Sequence, residues 1–360
     1  MKPITCIVFC TATFGALACW NVAPYDRDKS IASSQVIGYT QEFCASYCEE
    51  FQEDHAAANC PKTDDDDCKE ILEFVDKALK KAILSDLDID EKNISYKDAK
   101  DVEELDLEGR DITTLDGIQC FRNLTRLDLE DNAISDINVL AQLTQLKTLD
   151  LRKNEITDIS PLGCLTDLES LRLSDNTITT FDELSELTGL SVLELDGNEI
   201  SEVDAVSCMP QLTWVDVSGY EIDDIRPISC LTELDGLALN GTGTDDITPL
   251  RDLTELTELY LSDNNINDIT VLSGMTELTN LTLSNNDIAD TEPLTCLTQL
   301  SQLYIENNDI TDISPIIELD DLEELFIEGN PLDCEEDVTE ENIDYLNDEL
   351  DDHDFYETCY

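Results

Sequence analysis

The chain has 360 residues, 83 of them Asp or Glu and only 20 Lys or Arg, for a formal net charge of -63 at pH 7. That excess excludes nucleic acid as a partner, because phosphate is repelled, and disfavours anionic membrane surfaces. Hydrophobic residues still make up 41% of the chain, too many for an acidic disordered polymer, so a folded core beneath a heavily solvated surface is expected.

Residues 1–18 read as an export signal: Met1-Lys2 opens an apolar run from Ile4 to Leu17 that closes in Ala16-Leu17-Ala18. The run is too short to span a bilayer, and no later stretch approaches about 18 consecutive apolar residues, so no transmembrane segment is predicted. Cys19 follows at once, where a bacterial lipoprotein would be cut and acylated. Ala16 stands where such signals usually carry Leu, so lipidation at Cys19 and plain secretion are both open. Either route places the mature chain outside the cytoplasm, where disulfides persist.

Residues 19–100 form a cysteine-rich, helical N-terminal region. Cys44 and Cys48 are spaced i, i+4, and Cys60 and Cys68 flank an Asp-rich loop. The pattern predicts a helical hairpin stapled by Cys44–Cys68 and Cys48–Cys60, one of three possible pairings. A zinc site competes but lacks the paired short CxxC knuckles. Asp86-Leu87-Asp88-Ile89-Asp90 opens like a calcium loop, yet Glu91 replaces the turn glycine and Lys97 the bidentate Glu.

From residue 101 to 332 the chain repeats with a period of 22. Apolar anchors fall at Leu105, Leu127, Leu149, Leu171, Leu193, Val215, Leu237, Leu259, Leu281, Leu303 and Leu325, ten complete units and a partial one. Such self-similarity predicts an α/β repeat solenoid whose core fills only when neighbours stack. Alternation at each anchor gives a short strand of a parallel sheet. Asn recurs at 132, 154, 176, 198, 264, 286, 308 and 330, where its amide can bond backbone groups as the chain leaves the strand; Tyr220 and Thr242 interrupt this ladder. Asp136, Asp158, Asp224, Asp246, Asp268, Asp290 and Asp312 are expected to cap local turns. Cys120, Cys164, Cys208, Cys230 and Cys296 occupy one vertical row. Only Cys208 and Cys230 are close enough to each other to bridge, and the rest read as small semi-buried hydrophobes. Residues 333–360 hold thirteen acids and no Lys or Arg, a solvated cap.

The motif LxLxxNxIxDIxPLxxLxxL resembles a leucine-rich repeat, and its 22-residue period is similar to that of the internalin family of bacterial surface proteins. The resemblance implies a leucine-rich-repeat array with a parallel concave sheet, a helical disulfide-bearing N-terminal cap and a cysteine-containing C-terminal cap. Cys68–Leu84 with Ile94–Asp98 and Gly117-Ile118 is similar to the first cap. Gly329-Asn330-Pro331-Leu332-Asp333-Cys334 is similar to the opening of the second, which a Cys334–Cys359 bridge would close. This departs from internalins, whose arrays usually lead into immunoglobulin-like and wall-anchoring modules, so their adhesion to host receptors is not expected to transfer simply. In a bacterial protein the sequons at Asn93, Asn123, Asn240 and Asn280 would be unmodified.

On the concave face, outward positions after the anchors become aromatic toward the C-terminus at Tyr260, Tyr304 and Phe326, joined by Trp214 from the position before an anchor. Exposed aromatics on a rigid sheet are recognition residues, although Tyr and Phe are also good strand residues that stack between repeats. Gly219, Gly236, Ala238 and Gly241 surround Trp214 and could open a shallow pocket. Arg126, Lys147, Arg152, Lys153 and Arg172 are expected to neutralise stacked Asp106, Asp128 and Asp150. His55 and His353 sit beside no nucleophile motif. The expectation is an exported, non-enzymatic monomer without cofactor or metal, binding another protein or a surface glycan through Trp214, Tyr260, Tyr304 and Phe326. The alternative is a structural or calcium-dependent acidic envelope protein.

Overall fold

Each of the eleven anchors sits at the centre of a three-residue strand: β1 (Glu104–Asp106), β2 (Arg126–Asp128), β3 (Thr148–Asp150), β4 (Ser170–Arg172), β5 (Val192–Glu194), β6 (Trp214–Asp216), β7 (Gly236–Ala238), β8 (Glu258–Tyr260), β9 (Asn280–Thr282), β10 (Gln302–Tyr304) and β11 (Glu324–Phe326). The strands pair in chain order in one parallel sheet, and anchor faces anchor from Leu105 opposite Leu127 to Leu303 opposite Leu325. No anchor is more than 3% exposed. The computed structural model describes residues 71–89, 93–317 and 319–332, together with Cys44, Ala45, Cys48, Phe51, Cys60 and Cys68. The export signal, Cys19, His55, His353 and the expected Cys334–Cys359 bridge lie outside the described residues. Among those described, no helix is long and apolar enough to cross a membrane.

The residue four places after each anchor has a left-handed backbone, as at Asp131, Lys153, Gly197 and Asn285. Gly, Asn and Asp dominate there because they tolerate that conformation. The ladder Asn comes next and joins adjacent coils. Asn154 Nδ2 donates to the carbonyls of Leu151 (3.1 Å) and Leu129 (2.9 Å), while its Oδ1 accepts from Ile134 N–H (3.0 Å). Where Tyr220 breaks the ladder, its side chain is 45% exposed, and Ile222 N–H turns to the Thr242 carbonyl at 3.0 Å. The chain then descends to a short 3-10 turn on the far edge. All seven Asp residues of the repeat row accept from the N–H two residues on, at 2.8–3.0 Å. The turn-capping expectation therefore describes them.

The N-terminal cap departs from the expected helix at Cys68. Helix α1 runs Lys77–Asp86, and Ile71 instead pairs antiparallel with Ser95, which opens the short helix α2 (Tyr96–Ala99) through a capping box with Asp98. Asp76 caps α1 through Ala78 N–H (2.6 Å) and also accepts from Thr113 N–H (2.7 Å) and Oγ1 (2.9 Å) of the first repeat. Burial alone would raise its pKa, but these hydrogen bonds outweigh it and hold the carboxyl down at about 2. A depressed carboxyl contributes stability that is present above about pH 4 and lost as pH falls toward 2. Asp76→Ala is expected to cost about 1–2 kcal/mol at pH 7, a loss measurable by urea unfolding that vanishes near pH 2; an equal loss at both pH values would disprove the linkage.

The cysteine pairing corrects the expected hairpin. Neither Cys44–Cys68, Cys48–Cys60 nor Cys208–Cys230 forms. Cys44 bonds Cys230, Cys48 bonds Cys208, Cys60 bonds Cys164 and Cys68 bonds Cys120, with Cα separations of 5.0–5.6 Å. Each array partner ends its coil's 3-10 turn, as in Ser160–Cys164 and Arg226–Cys230. Cys44, Cys48, Cys60 and Cys68 thus strap the array in reversed order along its 3-10 edge. Cys44 and Cys48 are both helical. Four helical residues rise about 6 Å, close to the ~4.8 Å between neighbouring coils, so the i, i+4 pair meets consecutive repeats. Cys120, Cys164, Cys208 and Cys230 are bridged to the strap rather than acting as small hydrophobes. Such bridges belong to an oxidising environment.

Candidate functional site

The candidate site is the concave face of β6 to β11. Side chains before and after each inward anchor point outward, so Trp214, Glu258, Asn280, Gln302 and Glu324 share the face with Tyr260, Thr282, Tyr304 and Phe326. Trp214 leans across β7. A Cβ built on Gly236 would land within its indole ring, and Ala238 beyond is only 3% exposed. Gly236 therefore accommodates the indole, which covers the place where the sequence suggests a shallow pocket. Trp214 meets Tyr260 edge-on, with ring centroids 6.1 Å apart. Tyr304 stacks flat on Phe326 at 4.7 Å. The structure brings the four expected anchors together as two aromatic pairs separated by β9.

A polar row that the sequence reading missed links the pairs. Tyr260 Oη donates to Glu258 (2.6 Å), and Asn280 Nδ2 reaches Tyr260 Oη (3.4 Å) and Gln302 Oε1 (2.9 Å). Gln302 Nε2 donates to Glu324 Oε2 (3.0 Å), which also accepts from Tyr304 Oη (2.8 Å). Burial first, then the bond to Glu258, pushes the Tyr260 phenol up; the bond to Glu324, then burial, does so for Tyr304. Both phenols stay protonated and fixed as donors, which holds their rings. Between them, Asn280 Oδ1 and Thr282 Oγ1 have no hydrogen-bond partner. The available signal was position: the missed Glu258, Asn280, Gln302 and Glu324 each immediately precede an anchor, as Trp214 does.

The N-terminal half of the face is self-neutralised. Arg152 binds Asp150 and Glu130, each at 2.6 Å, Lys153 binds Glu130 at 2.7 Å and Arg172 binds Glu194 at 3.0 Å. Of the stacked acids, Asp150 is thus held by Arg152 and Asp128 by Arg126 at 3.8 Å, whereas Lys147 and Lys153 pair with Glu169 and Glu130 instead, so the expected neutralisation holds only in part. Burial first, then Asp150 and Asp106, raises the Asp128 carboxyl even so. Among the described residues no three His, Cys, Asp or Glu side chains are gathered as metal ligands.

Among the described residues no cation pairs with Asp216 on β6. Burial, opposed by hydrogen bonds from Ser218 and reinforced by Asp196 and Glu194, lifts its carboxyl to about 6 from an ordinary 3.8. The native state therefore binds more protons than the unfolded chain between about pH 4 and 6, and this contribution to stability falls as pH rises through that window. Asp216→Asn is expected to add about 2 kcal/mol at pH 7 and little at pH 4. Urea unfolding of both proteins at the two pH values checks this; an equal gain at both would remove the titration as the cause.

Comparison with known proteins places this geometry. Leucine Rich repeat family models match residues 122–137, 144–186, 254–296 and 276–316. An internalin (inlF) from Listeria monocytogenes is 33% identical, with a TM-score of 0.69 over 72% of this chain and 77% of that one. The chain belongs to the internalin-like leucine-rich-repeat proteins. Internalin C2 of the same organism is 30% identical, with a TM-score of 0.50 over 66% of this chain and 94% of its own. The functional domain of Listeria InlJ, described as including a cysteine ladder, shares the fold at 23% identity and a TM-score of 0.60, over 73% of this chain and 62% of that one. No curated protein matches.

Proposed function

We propose that the mature chain is an exported, non-enzymatic binding protein that captures another protein on the concave face between β6 and β11, with Trp214, Tyr260, Tyr304 and Phe326 as anchors. The observation that carries this reading is the pair of aromatic contacts held on a rigid sheet, with both tyrosine hydroxyls tied to carboxylates. Pre-ordered rings lose little entropy on binding, and aromatic anchors dominate interface energies. Glu258 and Glu324, on a chain of net charge -63, favour a partner segment that sets Lys or Arg beside apolar side chains. A surface glycan is the other ligand that stacks on such rings.

The test screens the mature protein against a displayed peptide library and a glycan array. Enrichment of basic-apolar peptides is expected, with Trp214→Ala and Tyr260→Ala each lowering affinity about 30-fold, the ~2 kcal/mol of a hot spot, without loss of the folded array. Glycan enrichment sensitive to the same substitutions would reassign the ligand. Binding unaffected by either substitution would remove the concave stripe from the function. A melting temperature raised strongly by calcium, with no ligand found, would favour the acidic structural reading.

A further inference from the structure

We infer that the disulfide ladder has a fifth rung, Cys19–Cys296, and that Cys19 is therefore a structural half-cystine rather than a lipid-bearing residue. Five cysteines precede the array in the mature chain, Cys19, Cys44, Cys48, Cys60 and Cys68, and five lie in the array's row, Cys120, Cys164, Cys208, Cys230 and Cys296. Four from each set pair in strictly reversed order, so that 68, 60, 48 and 44 meet 120, 164, 208 and 230. The next position outward on each side is Cys19 and Cys296. Cys296 is itself disulfide-bonded, and like the other four it ends the 3-10 turn of its coil, Glu292–Cys296.

Reach permits the rung. Cys230 and Cys296 are three repeats apart, about 15 Å along the stack at the strand spacing, and the 25 residues from Cys19 to Cys44 can extend to roughly 80 Å. The competing partners are off the row: Cys334 lies nine residues after its anchor Leu325, whereas each row cysteine lies fifteen after its own. The resemblance of the C-terminal cap also implies that Cys334 and Cys359 pair with each other. Cys6 and Cys10 leave with the signal, and Ala16-Leu17-Ala18 is the small-x-small pattern of ordinary cleavage, which makes Cys19 the first residue of the mature chain.

One sulfur cannot serve both fates. Acylation would join Cys19 Sγ to a diacylglyceryl group as a thioether, whereas the rung joins it to Cys296 Sγ. Forming the rung removes two protons and two electrons from the two thiols. An oxidised disulfide carrier of the export compartment accepts them by exchange and leaves as a dithiol. The consequence is a released protein strapped from the first repeat to the ninth.

The inference rests on the export reading for the cleavage before Cys19, and the test reads the two separately. The full chain with its signal is expressed in a bacterial host, recovered from medium and membrane fractions, and mapped by mass spectrometry without reduction. The expected result is protein in the medium, a free amine on Cys19 and a peptide joining Cys19 to Cys296. Cys19→Ser and Cys296→Ser should each leave one alkylatable thiol, on Cys296 and Cys19 respectively, while the four described rungs stay intact. A diacylglyceryl adduct on Cys19, or Cys296 joined to Cys334 or Cys359, overturns the rung and leaves export standing. An uncleaved Met1 overturns the export reading, and the peptide map then decides the rung by itself.

Discussion

Reduction of the ladder is expected to lower the melting temperature of the mature protein by at least about 10 °C while the array remains folded at 25 °C. Each rung crosses from the strap to a different coil, and the sequence separations of 52, 104, 160 and 186 are nested one inside the next. Nesting matters for the magnitude. With Cys48–Cys208 intact, Cys44–Cys230 closes only four strap residues and 22 array residues. Closing a ring of that size restricts the unfolded chain by about 3–4 kcal/mol, rather than the ~5 kcal/mol of a ring above a hundred residues. The four rungs together reach the order of 10 kcal/mol, enough for a shift of that size even in a chain this long. The sheet and its anchors do not depend on the strap, so far-ultraviolet circular dichroism at 25 °C should survive reduction. Melts with and without a phosphine reductant, with free thiols counted, check the point. A full complement of free thiols with an unchanged melt would mean that the strap contributes nothing to the array.

The pairing was the least legible part of the fold, and the reason is physical. A period of 22 states the sheet outright: Leu105 through Leu325 had to be eleven parallel strands, because a residue that recurs at the repeat period occupies the same place in every coil. The Asn ladder and the Asp turn caps follow from the same periodicity, and local hydrogen bonding decides both. Disulfides are decided by tertiary neighbours, and proximity in sequence misleads when a segment lies against a solenoid. Cys44 and Cys48 read as a hairpin helix because they share a helical face; the face is real, but it looks at coils ending in Cys230 and Cys208. The concave site was half legible. Alternation about the anchors put Trp214, Tyr260, Tyr304 and Phe326 on the outer surface. It did not say that the indole would lie over Gly236, or that Glu258 and Glu324 would hold the two phenols. Those depend on side-chain rotamers across strands, which no single repeat encodes.

Asn264→Ala is expected to destabilise the array by about 3–5 kcal/mol, through buried backbone groups left without partners. Its Oδ1 accepts from Thr242 N–H (3.0 Å), Thr244 N–H (3.0 Å) and Thr242 Oγ1 (3.1 Å), while Nδ2 donates to the carbonyls of Leu239 (2.8 Å) and Leu261 (3.0 Å). Thr242 is fully buried, so water cannot replace these bonds without opening the coil. The position is also the most exposed to failure along the ladder. Tyr220 and Thr242 have already removed two consecutive Asn residues, and Asn264 is the first to resume the pattern and supports the coil before it. Neighbouring ladder residues cannot take over, because each serves its own pair of coils. Asn265, the next residue, donates only to the Gly243 carbonyl (3.1 Å) from an exposed side chain, so Asn265→Ala should cost no more than about 0.5 kcal/mol. Because stability in a solenoid is a sum of local and nearest-neighbour terms, the loss should appear as accelerated hydrogen exchange concentrated in β7 and β8, before the global melt moves. Equal effects from the two substitutions, or exchange raised uniformly along the sheet, would contradict a ladder built of discrete coil-to-coil bonds.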